Sequence, residues 1–226
     1  MRVIFNEELK AVADDLDRMA QDVRKAINGA GDALLNQNLE AAQAVIDGDI
    51  EIDALESSVI DQCVKLLAKQ NPVATDLRVV VSTLRLAATF ERMGDLARHI
   101  AEAARRTYPA SPLPADAQPL FAEMQPFLDH VADQVVSMLN DRDTKTAEEI
   151  ILNDDKLDAL HKKTFELAQS ENWSGTNQQL IDVVLIGRFM ERLGDHAVSA
   201  ARRVVYIVSG FDPSKEPTRD EDTDNA

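Results

Sequence analysis

The phrase Glu91-Arg92-Met93-Gly94-Asp95 returns as Glu191-Arg192-Leu193-Gly194-Asp195, each time inside an apolar run of helical period. Recurrence of this kind marks a duplicated supersecondary unit, so whatever surrounds the first copy should surround the second. The two acids of each copy stand at i and i+4, one turn apart on one helix face. Like charges at that spacing cost an isolated helix about 0.2–0.5 kcal/mol, and the glycine roughly 1 kcal/mol relative to alanine. A penalty accepted twice at matching positions points to a shared use.

The flanking sequence repeats as well. From Glu7 to about Asn36, Leu9, Val12, Leu16, Met19, Val23 and Ile27 recur every three to four residues, which predicts a first helix. A second is expected from Leu39 to Gln70, with Ile46, Ile52, Val59, Ile60, Val64 and Leu67 on its apolar side, until Asn71-Pro72 stops it. A third carries Leu77, Val80, Val81 and Leu84 toward Glu91 and Asp95 and ends near Arg106. Thr107 to Pro119 holds Pro109, Pro112, Pro114 and Pro119 without apolar periodicity, the natural boundary. Beyond it come a helix with Leu120, Met124, Phe127, Val131, Val135 and Met138, and one continuous helix from Thr144 to Ser170 through Leu157, Leu160 and Phe165. After a loop at Asn172–Thr176, a last helix from Asn177 to Ser209 bears Leu180, Ile181 and Val184. The fold expected is all-α, two tandem antiparallel three-helix bundles: a first repeat over 1–107, a proline-rich linker over 108–119, a second repeat over 120–211 and a disordered acidic tail over 212–226.

Composition narrows the function. A net charge of −16 disfavours nucleic acid as partner, because phosphate backbones demand clustered Lys and Arg, and it disfavours adhesion to an anionic bilayer. A lone Cys63 leaves no internal disulfide framework and fits a reducing compartment. With no apolar segment at the N-terminus and no long apolar span, a cytoplasmic chain without membrane insertion is expected.

The acids form a larger set. Asp49 and Asp53 on the second helix match Asp154 and Asp158 in the other half, through the parallel Ile52-Asp53-Ala54-Leu55 and Leu157-Asp158-Ala159-Leu160. Glu91 and Asp95 lie within about 20° of Leu84 on the helical wheel, and Glu191 and Asp195 stand likewise to Val184. Asp49 and Asp53 share a stripe with Ile60, Cys63 and Leu67, as Asp154 and Asp158 do with Phe165. Four carboxylates per half thus continue bundle-facing stripes, where ionised groups need a counter-charge. Arg92 and Arg192, one position from the acids, point roughly 100° away. All-oxygen donors suit hard cations such as magnesium, calcium, manganese or ferric iron. The glycines would leave room for a neighbouring backbone or a cation. His161, three residues after Asp158, is a further potential ligand or a partly exposed histidine; His99, His130 and His196 are scattered. Arg105-Arg106 and Arg202-Arg203 read as basic helix C-termini opposing the dipole, and Cys63 as a small core residue.

Taken together, the two Glu-Arg-x-Gly-Asp phrases and Pro72-Val73-Ala74-Thr75-Asp76-Leu77-Arg78, which opens the third helix, resemble the PhoU family over about residues 1–210. These are accessory and regulatory proteins of bacterial phosphate-specific transport systems. The second half departs from the lead-in, with Gly175-Thr176-Asn177-Gln178 in its place. The resemblance implies a six-helix protein that represses phosphate-starvation signalling, contacts the phosphate transporter ATPase subunit and a sensor histidine kinase, and forms a homodimer. It also implies multinuclear metal clusters, often iron or zinc, on the paired acids. By position the ligands would be Asp49, Asp53, Glu91 and Asp95, then Asp154, Asp158, Glu191 and Asp195.

Two rivals stand beside a non-enzymatic, metal-binding regulator. A di-iron carboxylate oxidase or ferroxidase would carry Glu-x-x-His on two helices, and only Asp158-x-x-His161 approaches that. A metal-independent helical adaptor would leave the same acids merely solvated.

Overall fold

The computed structural model describes residues 2–211. Helix α1 spans Arg2–Asn36, α2 Leu39–Gln70 and α3 Ala74–Thr107. The boundaries are set chemically. Asn38 accepts a hydrogen bond from the Ala41 amide at the start of α2, and Asn71 ends that helix in a left-handed conformation (φ 44°) just before Pro72. In the second half α4 spans Gln118–Asp141, α5 Thr144–Leu152, α6 Asp155–Ala168 and α7 Asn177–Ser209. Thr176 and Gln179 form a reciprocal capping box at the head of α7, and Gly210 closes its end at φ 76°.

Helices α1–α3 pack on one another, as do α4–α7, which gives the two tandem three-helix bundles expected from the repeat. The bundles lie side by side, with α3 along α7 and α1 along α4, so a single apolar core runs through both. The repeat is visible in that core: Leu86, Phe90, Met93, Ala97 and Ala101 are buried on α3, and Ile186, Met190, Leu193, Ala197 and Ala201 at the matching positions of α7.

Two expectations need correction. The helix predicted over Thr144–Ser170 is two, α5 and α6, parted at Asn153-Asp154. There the Asn153 side chain donates to the Glu149 carbonyl at 2.8 Å, an alternative to the helical ladder that short polar side chains readily offer. On α2 the buried face is Val45, Asp49, Ile52, Val59, Cys63 and Leu66, while Val64 is exposed. Leu77 and Val81 of α3, Phe165 of α6 and Ile181 of α7 are also exposed, because they lie at or past the edge of their buried stripes. Within the proline-rich linker Leu113 is buried, and Gln179 Nε2 donates to the Ser111 carbonyl at 3.3 Å. The acidic stretch from Asp212, expected as a tail, lies outside the described residues.

Candidate functional site

Each acidic face is built where the second and third helices of a bundle approach closely, and glycine permits the approach. A Cβ on Gly94 would stand 3.0 Å from Ile52 Cδ1 and 3.4 Å from Asp49 Oδ1; on Gly194 it would meet Leu157 Cδ2 at 2.8 Å and Asp154 Oδ1 at 3.5 Å. What fills the space beside each glycine is therefore a neighbouring apolar side chain, and the adjoining carboxylate is drawn in with it. The two faces are related by the same contact.

The acids are not equally deep. Asp49 and Glu191 are buried, Glu91, Asp95 and Asp154 are half-buried, and Asp53, Asp158 and Asp195 are exposed. A uniformly inward set is thus incorrect. The reference residues used to orient the wheel, Leu84 and Val184, are themselves only half-buried, so acids aligned with them border the core and open to solvent.

The first face carries its own counter-charge. Arg98, on α3, places Nε 2.6 Å from Asp49 Oδ2, Nη2 2.7 Å from Asp95 Oδ1 and Nη1 2.9 Å from Glu102 Oε1. The Nη contacts are hydrogen bonds; the Nε–H is not aimed at Asp49, so that contact is a bare charge pairing. Arg92 bends back despite its position on the wheel, with Nη1 3.1 Å from Asp95 Oδ2 and Nε 3.4 Å from Glu91 Oε2. The sequence reading, which weighed only the adjacent arginines, missed Arg98; its signal was a basic residue three positions after Asp95, one turn along the same face. Burial raises the Asp49 and Glu91 carboxyls, with neighbouring acids adding to it. Burial also pushes Asp95 upward, but the Arg98 hydrogen bond and charge outweigh it and hold that carboxyl below its ordinary range.

The second face is different. Arg188 Nη1 lies 2.5 Å from Glu191 Oε1, while Glu191 Oε2 is buried without a partner. Among the described residues no Lys or Arg forms an ion pair with Asp154, Asp158 or Asp195. Burial raises Asp154, and the charges of Asp158 and Asp195 raise it further; burial and then Asp195 do the same to Glu191. His161 stands at the edge of this face, its ring 5.0 Å from that of Phe165 and its Nε2 buried without a partner. Burial, then the Arg188 charge, lowers its affinity for a proton, which keeps a lone pair free.

Among the described residues no three His, Cys, Asp or Glu side chains already converge as metal ligands. A hard cation nevertheless fits the donor chemistry of the second face, where a buried carboxylate oxygen lacks a partner and the adjoining aspartates form no ion pair. It does not fit the first face, where a guanidinium already spans Asp49 and Asp95.

Comparison with known proteins follows the same duplication. The model of the PhoU domain matches residues 16–104 and again 121–204. The phosphate-specific transport system accessory protein PhoU homolog 1 of Mycobacterium leprae is 34% identical over 96% of this chain and 97% of its own. PhoU homolog 2 of Mycobacterium tuberculosis is 35% identical over 94% of this chain and 100% of its own. The crystal structure of PhoU from Pseudomonas aeruginosa superposes with a TM-score of 0.82 at 25% identity, covering 92% of this chain and all 100% of that one. A family model matched twice in succession, and relatives aligned from end to end, leave one conclusion: the chain belongs to the PhoU family.

Proposed function

We propose that this protein is a non-enzymatic regulator of phosphate homeostasis, which acts as an accessory to a phosphate-specific transport system and represses phosphate-starvation signalling. The observation that carries this reading is the end-to-end alignment with relatives named as accessory proteins of that system, with both halves matched by the PhoU domain. Its partners would be the transporter ATPase subunit and a sensor histidine kinase, with a second copy of the chain as a further partner. No helix among the described residues is long and apolar enough to cross a membrane, so contact with a transporter would be made from outside the bilayer.

The second acidic face is proposed to bind cations, with Asp154, Asp158, Glu191 and Asp195 as the ligands and His161 at their margin. The partnerless Glu191 Oε2 and the ion-pair-free aspartates support this. A bound cation would relieve their mutual repulsion, stabilise the α6–α7 contact and so couple occupancy to partner affinity. The oxidase alternative would need Glu-x-x-His on two helices, and Asp158-x-x-His161 remains the only near match in the sequence.

Deletion of the gene should release phosphatase expression in phosphate-rich medium, with complementation restoring repression. Expression that stays repressed in the deletion strain overturns the regulatory role. Affinity capture with and without chelator then separates cation-coupled partner binding, lost on chelation, from a metal-independent adaptor.

A further inference from the structure

We infer that Arg98 is a built-in counter-ion that takes the place of a metal on the first face, so that this chain loads cations on its second half alone. The inference rests on the proposal that the second acidic face binds cations, and it breaks the symmetry that the repeat would otherwise impose.

The two faces share the helix–helix contact that builds them. Gly94 and Gly194 make the same close approach to Ile52 and Leu157, and each brings one aspartate, Asp49 or Asp154, against the middle of the third helix of its bundle. At the position matching Arg98 the second half has Val198, and at the position matching Glu102 it has Arg202. One half thus has a cation fixed among its acids and the other has none there. The guanidinium suits that task. It is planar, permanently charged and forked, and it reaches Asp49, Asp95 and Glu102 from one side chain at 2.6, 2.7 and 2.9 Å. With the Arg98 side chain only 26% exposed, these contacts are partly shielded from water and salt. A metal entering between Asp49 and Asp95 would have to break them all and would leave the guanidinium beside its own positive charge. No such obstacle stands between Asp154 and Asp195. Arg188 engages one oxygen of Glu191, and Arg202, though its charge reaches Asp154, is exposed and forms no ion pair with it.

The test is a titration of the full chain with manganese(II), free metal being read by electron paramagnetic resonance and folding by circular dichroism. In the native sequence, Asp49→Asn with Asp95→Asn should leave manganese binding unchanged. Asp154→Asn with Asp195→Asn should weaken it at least roughly tenfold. Arg98→Val, which installs the residue of the other half, should raise bound manganese about twofold, and Asp49→Asn should erase the gain. Arg98→Gln, polar and close in length, should show the same gain and serves if the valine variant folds poorly. Loss of manganese from the native chain on altering Asp49 and Asp95 would overturn the inference while leaving cation binding intact. So would the absence of a gain in both Arg98 variants. Failure of the native chain and both variants to bind manganese would overturn the cation reading itself, and this inference with it.

Discussion

Arg106 Nη2 lies 2.5 Å from Asp182 Oδ1, an ion pair that ties the last turn of α3 to the second turn of α7. It joins the two halves of the chain where the proline-rich segment has just carried the backbone from one to the other. Read from sequence, Arg106 was a basic residue answering its own helix dipole; its partner instead belongs to the neighbouring bundle. Gln178 Nε2 adds a second donor to Asp182 Oδ1 at 3.1 Å, and Asp182 is only 2% exposed. Arg106→Ala would leave that carboxylate buried beside a single neutral donor. A loss of about 1–3 kcal/mol in urea unfolding is expected, less than for a fully buried pair because the Arg106 side chain is 54% exposed. Asp182→Asn, which removes the charge needing compensation, should cost less than Arg106→Ala. An Arg106→Ala protein of native stability would show the contact to be incidental.

The two site glycines should respond unequally to alanine. At Gly194 the new methyl would meet Leu157 Cδ2 at 2.8 Å, with Leu157 itself fully buried, whereas at Gly94 the nearest atom is Ile52 Cδ1 at 3.0 Å. Overpacking typically costs about 1–3 kcal/mol, against about 1 kcal/mol gained in helix propensity. Gly94→Ala should therefore stay within about 1 kcal/mol of native, and Gly194→Ala should be destabilised by up to about 2 kcal/mol. Equal effects in denaturant titrations would contradict the asymmetry of the two contacts.

Stability and cation binding should trade against each other on the second face. Asp195→Asn removes a like charge one turn from Glu191, so the metal-free variant should gain about 0.2–0.5 kcal/mol. With manganese at a hundred times its dissociation constant, the native chain should gain about 2.7 kcal/mol and the variant far less. Thermal melts with and without metal check both signs, and a variant that is as metal-responsive as the native chain would remove Asp195 from the ligand set.

Cys63 offers a probe far from the acids. Its thiol is fully buried, and burial pushes its pKa up to about 11 from 9.0. Only the thiolate attacks disulfide reagents, so the native protein should stay unmodified at pH 8 and react on unfolding. The linkage sign follows: between pH 9.0 and about 11 the unfolded chain sheds this proton while the folded chain keeps it. Stability should fall with rising pH across that window, more steeply than in Cys63→Ala. Rapid labelling of the native state at pH 8 would refute the buried placement.

Much of the fold was legible because its punctuation was chemical. Asn71-Pro72 and the loop at Asn172–Thr176 predicted helix ends that agree with the structure to within a residue or so, and the duplicated phrase predicted the two bundles. The break at Asn153-Asp154 was not legible, since nothing in the periodicity of Leu157 and Leu160 shows a helix ending and restarting just ahead of them. The acids were found through repetition, but their depth was misjudged: angular agreement with Leu84 gives direction and says nothing of how far the neighbouring helix extends. Arg98 escaped for a related reason. Angle along one helix ranked Arg92 and Arg192 as remote, whereas a long flexible side chain reaches a carboxylate a turn away on its own helix and another across the groove.

The shared core has a consequence for how such a chain can be cut. Because α3 lies along α7 and α1 along α4, parting the two halves at Pro112 would bare to water the apolar surface that these helices bury against each other. Repetition in the text is then no guarantee of modularity in the object: a lone half should be insoluble or should recruit a second copy of itself to replace the missing sister.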